Sequence, residues 1–178
     1  MRLFIAIEIP EDIKEYMVEV QRNIDNNQNK VRFVNKDRIH LTLKFLGEVQ
    51  LNDLENIKTN LKKITFSPFS VNLEKIGVFP DENYIKVIWI GLKPEEPILK
   101  LQKDIDEKLE EFFKKEKDFR PHLTLARVKY IEDKENFVNK LKNMKIENKK
   151  INITNFKLVK STLTPEGPVY EDLEVFGK

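Results

Sequence analysis

Ile39-His40-Leu41-Thr42-Leu43-Lys44-Phe45-Leu46-Gly47 and Arg120-Pro121-His122-Leu123-Thr124-Leu125-Ala126-Arg127 contain both histidines of the chain, and each histidine opens the same tetrapeptide, His-Leu-Thr-Leu. Chance would follow a given histidine with Leu-Thr-Leu only on the order of a few times in ten thousand, so an internal repeat is the better explanation. On a strand, alternate side chains share a face. His40 and Thr42 therefore point one way and Leu41 and Leu43 the other, and the second copy does the same. Two imidazoles, which titrate near neutral pH, and two hydroxyls can then line one site.

Working outward, a shift of 82 residues, the separation of His40 and His122, brings apolar segments of the two halves into register. Leu3 to Ile9 falls on Ile85 to Gly91, Asn52 to Ile64 on Lys134 to Ile146, and Ser70 to Ile76 on Asn152 to Leu158. Each half reads strand, helix, His-Leu-Thr-Leu strand, helix, strand. The first helix is expected from Pro10, which suits a first turn, with Ile13, Met17, Val20 and Ile24 inward and the Asn-rich stretch Asp25 to Asn29 ending it. The second has Asn52 as N-cap and Leu54, Ile57, Leu61 and Ile64 as its stripe. The third starts near Glu96 with Ile98, Leu101, Ile105, Leu109 and Phe112 inward, and the fourth buries Phe137, Val138, Leu141 and Met144. Strands are expected near 2–8, 31–34, 39–46, 70–78, 84–91, 122–128, 151–160 and 168–176. Strands and helices do not alternate steadily. This favours an α+β fold with antiparallel sheets and outer helices, organised as one domain over 1–178 with pseudo-symmetric lobes, about 3–76 and 85–158, around a central cleft.

Composition narrows the function. The 178 residues are 40% hydrophobic and 35% charged, with five glycines, which is globular. A net charge of +2 from 32 basic and 30 acidic side chains does not mark a strongly basic nucleic-acid binder. The local clusters Lys30, Arg32, Lys36, Arg38 and Lys140, Lys142, Lys145, Lys149, Lys150 read as solvated faces. Without cysteine there are no disulfides or thiolate zinc sites, and a cytoplasmic setting is expected. The apolar N-terminus is short, is interrupted by Glu8 and has no cleavage site, and no stretch is long enough for a membrane span.

Two histidines across a cleft suit acid–base cleavage of a phosphoester. One neutral imidazole takes a proton from the nucleophile while the other, protonated, supplies the leaving oxygen, and each threonine offers a hydroxyl to a phosphoryl oxygen. The bland alternative, a satisfied histidine and a threonine present for β-propensity, explains one tetrapeptide but not the duplication. A zinc site is the chemical rival. It needs a third ligand, and only carboxylates such as Glu8 or Asp37 could supply it, with no spacing to mark them. The chain has no phosphate-binding Gly loop or nucleophile elbow.

These repeated His-x-Thr-x motifs resemble the 2H phosphoesterase superfamily. The strings Arg2-Leu-Phe-Ile-Ala6, Gly77-Val-Phe-Pro80, Val87-Ile-Trp89-Ile-Gly91 and Leu163-Thr-Pro-Glu-Gly-Pro-Val-Tyr170 extend the likeness to the RNA 2′,3′-cyclic phosphodiesterases, also called 2′-5′ RNA ligases, over essentially the whole chain. The resemblance implies a bilobal fold and hydrolysis of a 2′,3′-cyclic phosphate on RNA to a 2′-phosphomonoester without metal or other cofactor. Reversible 2′-5′ ligation is an allowed second activity. It makes His40 the proton donor, His122 the proton acceptor, and Thr42 and Thr124 phosphate donors.

Arg127 matches a family arginine that would neutralise phosphoryl charge. Strict alternation puts Arg127 on the face away from His122, so its reach requires a twist or bulge. Lys44 shares the parity of His40 and is placed at the cleft rim, with a solvated lysine as the alternative. Phe4 and Phe79 are candidates to stack a base or to fill the core, and Tyr170 is open in the same way. Lys86 stands where many relatives carry arginine, which puts any bidentate contact there in question. The expected partner is RNA with 2′,3′-cyclic phosphate ends, tRNA halves being one candidate, acted on by a monomer with no membrane association. An RNA-end-binding module that captures without turnover is the alternative function. Fixed arginine or lysine would serve capture better than paired histidines.

Overall fold

The structure, a computed structural model, describes residues 1–24 and 29–177. Among these residues nine strands form two antiparallel sheets: β1 (Arg2–Glu8), β2 (Lys30–Phe33), β3 (His40–Glu48), β4 (Phe69–Asp81), β5 (Tyr84–Lys93), β6 (His122–Tyr130), β7 (Lys150–Ile153), β8 (Phe156–Thr164) and β9 (Gly167–Phe176). Four helices accompany them: α1 (Glu11–Arg22), α2 (Leu54–Leu61), α3 (Glu96–Lys108) and α4 (Lys134–Asn143). The α+β class with antiparallel sheets is as expected. One sheet, here sheet A, has the order β3-β1-β8-β9, and the other, sheet B, has the order β2-β6-β5-β4-β7.

The helices form where apolar residues recur on one face. Ile13, Met17, Val20 and Ile24 are buried as the spacing requires, as are Ile98, Leu101, Ile105 and Leu109. Phe137, Val138 and Leu141 are buried and Met144 partly so. Pro10 precedes α1, and its carbonyl accepts from the N–H groups of Ile13 and Lys14. The proposed helix end at Asp25 to Asn29 lies largely outside the described residues. One boundary differs from expectation. A short 3₁₀ turn, Leu51–Asp53, takes the place of the Asn52 cap, so α2 begins at Leu54, one residue later. The cap of α4 is Asp133, whose side chain accepts from the Asn136 N–H at 3.0 Å.

The lobes also need correction: neither sheet is built from one half of the chain. β4, from the first half, pairs with β5, and β8, from the second half, pairs with β1. The third long strand of each repeat thus completes the sheet of the other. Ser70 and Asn152, 82 residues apart, lie opposite each other on β4 and β7, and Ser70 Oγ donates to Asn152 Oδ1 at 2.8 Å. Residues on either side pair reciprocally, Phe69 with Ile153 and Val71 with Ile151, so a local two-fold axis passes between these strands. The expected strand 151–160 is two strands, β7 and β8, in different sheets.

Register corrects the alignment of the first strands by one residue. His40 lies opposite Glu8 and Thr42 opposite Ala6, whereas His122 lies opposite Gly91 and Thr124 opposite Trp89. The equivalent of Glu8 is therefore Gly91, not Ile90. Pairing with β4 places the irregularity between Ile85 and Val87, where Lys86 is the extra residue. A single-residue slip inverts the faces of a strand. It escapes notice here because β5 is apolar in both parities.

Candidate active site

β3 and β6 lie side by side across the two sheets, and each begins with its histidine. Their nine residues alternate in burial identically: half-buried His and Thr, buried residues at the second, fourth, fifth and seventh places, exposed residues at the sixth. The buried fourth and fifth places break strict alternation, and the register supplies the reason. Ile5 pairs with Lys44 and Ala6 with Thr42, so Leu43 is an extra residue in β3; Ile88 pairs with Ala126 and Trp89 with Thr124, so Leu125 is the extra residue in β6. Each bulge turns two successive side chains to the core and returns the next to the cleft.

That geometry decides two residues. Arg127 comes back to the face of His122 and lines the cavity, through the bulge its reach required. Lys44 goes the other way, a correction of its expected place at the rim. It is 2% exposed, with Nζ 2.5 Å from Asp106 Oδ1 and 2.7 Å from the Lys114 carbonyl. Asp106 is completed by the Gln102 side chain and the Glu116 N–H, each donating at 2.9 Å. Lys44 therefore ties β3 to α3 and to the segment leading into His122. Phe45 takes the place in β3 that Arg127 holds in β6.

His40, Thr42, His122, Thr124 and Arg127 all line one cavity of about 520 Å³. Its walls also include Arg2, Phe4, Arg32, Arg38 and Tyr170. Neither threonine hydroxyl is engaged by another described residue, which leaves both as donors toward the cavity. His40 Nδ1 lies 2.8 Å from the Arg38 carbonyl and His122 Nδ1 2.7 Å from the Arg120 carbonyl. A carbonyl can only accept, so each Nδ1 carries its proton and each Nε2 is left for chemistry.

Burial pushes both imidazoles below the usual histidine range, against the opposing effect of the carbonyls. Their charged neighbours differ. Arg127 disfavours the cation on His122, while His40 feels Lys14 and His122 in one sense and Glu8 in the other.

The rings are braced differently too. Phe4 lies 5.0 Å and Tyr170 5.4 Å from the His40 ring. On the other side, Phe79 packs edge-on to His122 at 4.9 Å and lies 4.9 Å from Trp89. Phe79 thus supports His122 from outside the residues lining the cavity. Gly77 makes room for this wall: a Cβ there would come within 2.2 Å of the Trp89 ring.

Sequence reasoning missed three cavity arginines. Arg32 and Arg38 read as part of a solvated cluster, and Arg2 as the start of a β run. Only register brings Arg32 directly opposite Arg127. Arg38 donates to the Glu166 carbonyl at 3.0 Å and holds the β8–β9 turn over the cavity. Gly167 in that turn has φ +113°, a conformation that favours glycine, and its missing Cβ leaves room for the Arg38 guanidinium.

Among the described residues, no group of three His, Cys, Asp or Glu side chains is placed to hold a metal ion, so Glu8 and Asp37 do not complete a zinc site with the histidines. No helix among them is long and apolar enough to cross a membrane.

The profile of the LigT-like phosphoesterases matches the chain twice, over residues 7–89 and 90–170. The chain is 42% identical to the RNA 2′,3′-cyclic phosphodiesterase of Methanocaldococcus jannaschii over 173 residues, 96% of this chain and 97% of the relative. It is 35% identical to that of Archaeoglobus fulgidus over 178 residues, 99% of each. Among solved structures, TT0787 of Thermus thermophilus matches with a TM-score of 0.82 at 29% identity, over 99% of this chain and 97% of that one. Escherichia coli LigT in complex with 3′-AMP shares the fold, with a TM-score of 0.81 at 24% identity over 99% and 97%.

Proposed function

Because this chain belongs to the LigT-like phosphoesterases, a 2H phosphoesterase family, we propose that it hydrolyses the 2′,3′-cyclic phosphate at the 3′ end of RNA to a 2′-phosphomonoester, by metal-independent catalysis from two histidines. It is a hydrolase of phosphodiester bonds. The observation that carries the mechanism is the pair of equivalent imidazoles, each with Nδ1 fixed on a backbone carbonyl, lining one cavity.

In that mechanism Thr42, Thr124 and Arg127 hold the non-bridging phosphoryl oxygens. Neutral His122 Nε2 takes a proton from water as its oxygen bonds to phosphorus. The bond from phosphorus to O3′ breaks, and the His40 Nε2–H proton passes to O3′. One proton enters the enzyme and one leaves, so the two histidines exchange protonation states and reset through solvent. Arg127 beside His122 supports this polarity, because it favours the neutral base. Ligation follows the reverse course of the same displacement, with a 5′-hydroxyl in the place of water and tRNA halves among the candidate substrates. The enzyme acts in the cytoplasm as a monomer. Capture of RNA ends without turnover is disfavoured, since it has no use for two imidazoles held in the same tautomer.

In-line displacement with two fixed histidines can protonate only one ring oxygen. Adenosine 2′,3′-cyclic phosphate should therefore give only the 2′-monophosphate, with excess chelator present or absent. Phosphorus NMR reads the product directly: a mixture of isomers or pure 3′-phosphate would overturn the assigned polarity, and strict metal dependence the metal-free mechanism.

A further inference from the structure

Cations on the two sheets differ in pairing where they flank the cavity, although Lys93 at the far end of β5 pairs with Glu95. On sheet A, Lys157 is held between Glu8 and Asp172, and Lys160 is paired with Glu171. On sheet B, Lys30, Arg32, Lys86, Arg127 and Lys129 have no ion pair with a described residue. Arg32, Arg127 and Val87 stand side by side in register at the edge of the cavity. Beyond that row, both neighbouring ladders shift. The shift between Lys30 and Val31 leaves Lys129 and Tyr130 both exposed after buried Val128, and the shift next to Pro80 leaves Lys86 exposed before Val87.

The surface leading away from the cavity therefore alternates cations with aromatic faces. Tyr84 is 55% and Tyr130 53% exposed, and Lys86 Nζ sits 4.4 Å above the Tyr84 ring. Carboxylates that could neutralise it are engaged elsewhere. Asp81 accepts from the N–H groups of Asn83 and Tyr84, Glu82 pairs with Lys142, and Asp133 caps α4. Glu132, which follows β6, is the exception. Unpaired cations interleaved with rings fit single-stranded nucleic acid, whose phosphates need charge and whose bases need a stacking face.

We infer that the outer end of sheet B, with Lys86, Lys129, Tyr84 and Tyr130, carries the RNA chain upstream of its terminal cyclic phosphate. From Arg127 to Tyr130 the strand advances about 10 Å, room for about one or two further nucleotides. The inference rests on the phosphodiesterase reading of the cavity. It makes the preferred substrate an oligonucleotide end, not a mononucleotide.

Binding tests this without turnover. A fluorescent RNA hexamer ending in a 2′-phosphate should bind about tenfold more tightly than adenosine 2′-monophosphate. Its log–log salt slope should be near −2, for about three phosphates engaged. The K86E/K129E variant should lose that advantage and flatten the slope, and Y84A/Y130A should lose it at unchanged slope. Both should keep the thermal midpoint and the turnover of adenosine 2′,3′-cyclic phosphate.

Equal binding of hexamer and mononucleotide, or variants that bind the hexamer like the parent, overturns the inference. So does a concentration-dependent dimer in sedimentation that charge reversal dissolves, which would make this face a contact between copies. If the parent turns over no cyclic phosphate but the hexamer behaves as described, the RNA surface stands and the catalytic reading fails.

Discussion

Protonation of two imidazoles sets the pH at which the cavity works. Turnover needs one neutral and one charged, and burial holds both below the ordinary value of about 6.5 in the free protein. The kcat/KM profile should therefore be a bell with its maximum below pH ~6.5. The kcat profile should lie higher, because bound phosphate favours the cations. An optimum of kcat/KM above pH ~7.5 would contradict this. Arg127 adds a sign that can be checked. Its guanidinium lowers the His122 pKa, so Arg127→Ala should move the acid limb to higher pH while cutting kcat/KM by about 10²- to 10³-fold, as loss of a charged donor to the transition state does. His122→Ala should remove nearly all turnover at unchanged fold. A fully active variant would sink the assignment.

Among the elements, the bulge in β6 has a dedicated support. Gln21, from α1 and 6% exposed, donates from Nε2 to the Leu125 carbonyl at 2.9 Å and to the Val34 carbonyl at 2.8 Å. Leu125 is the bulged residue that returns Arg127 to the cleft, and Val34 lines the cavity. Gln21→Leu should cost about 1–3 kcal/mol of stability by removing the donor to the Val34 carbonyl and leaving the Leu125 carbonyl with the Val34 N–H alone, and should lower kcat/KM as well. In an Arg127→Ala background the effect on kcat/KM should vanish while the stability loss remains. An equal loss in both backgrounds would make Gln21 merely structural. In β3 the corresponding anchor is Lys44. Lys44→Ala, which strands Asp106, should cost about 3–5 kcal/mol by denaturant unfolding. Elements of this kind mark where sequence reading stopped. The parity of His40, Thr42, His122 and Thr124 was legible because each pair lies before its bulge. Lys44 and Arg127 lie beyond, and alternation alone cannot reveal an extra residue. Arg2, Arg32 and Arg38 escaped for another reason: a cation facing a cleft and one facing solvent have the same local sequence.

At the scale of the molecule, the duplication was legible from its motifs, but its connectivity was not. Both halves contain the strands of a lobe, and nothing local distinguishes a third strand that closes its own sheet from one that crosses to the other. The crossing of β4 and β8 leaves each half with an unpaired strand edge where its partner belongs. Unfolding should therefore be a single cooperative transition, coincident by Trp89 fluorescence, which reports sheet B, and by circular dichroism, which reports both. Separate transitions would contradict it. A chain divided at Glu82-Asn83, in the β4–β5 turn, should give two fragments that are unfolded alone and regain phosphoesterase activity on mixing. The same crossing bears on ancestry. Before the gene doubled, a single copy could have completed its sheet only by lending its last strand to a twin and borrowing the twin's in return. A single copy joined in this way would exist as a strand-exchanged homodimer, with one histidine from each subunit in a shared symmetric pocket. Joining two such copies in one chain would free the two sides to differ, as the surroundings of His40 and His122 do.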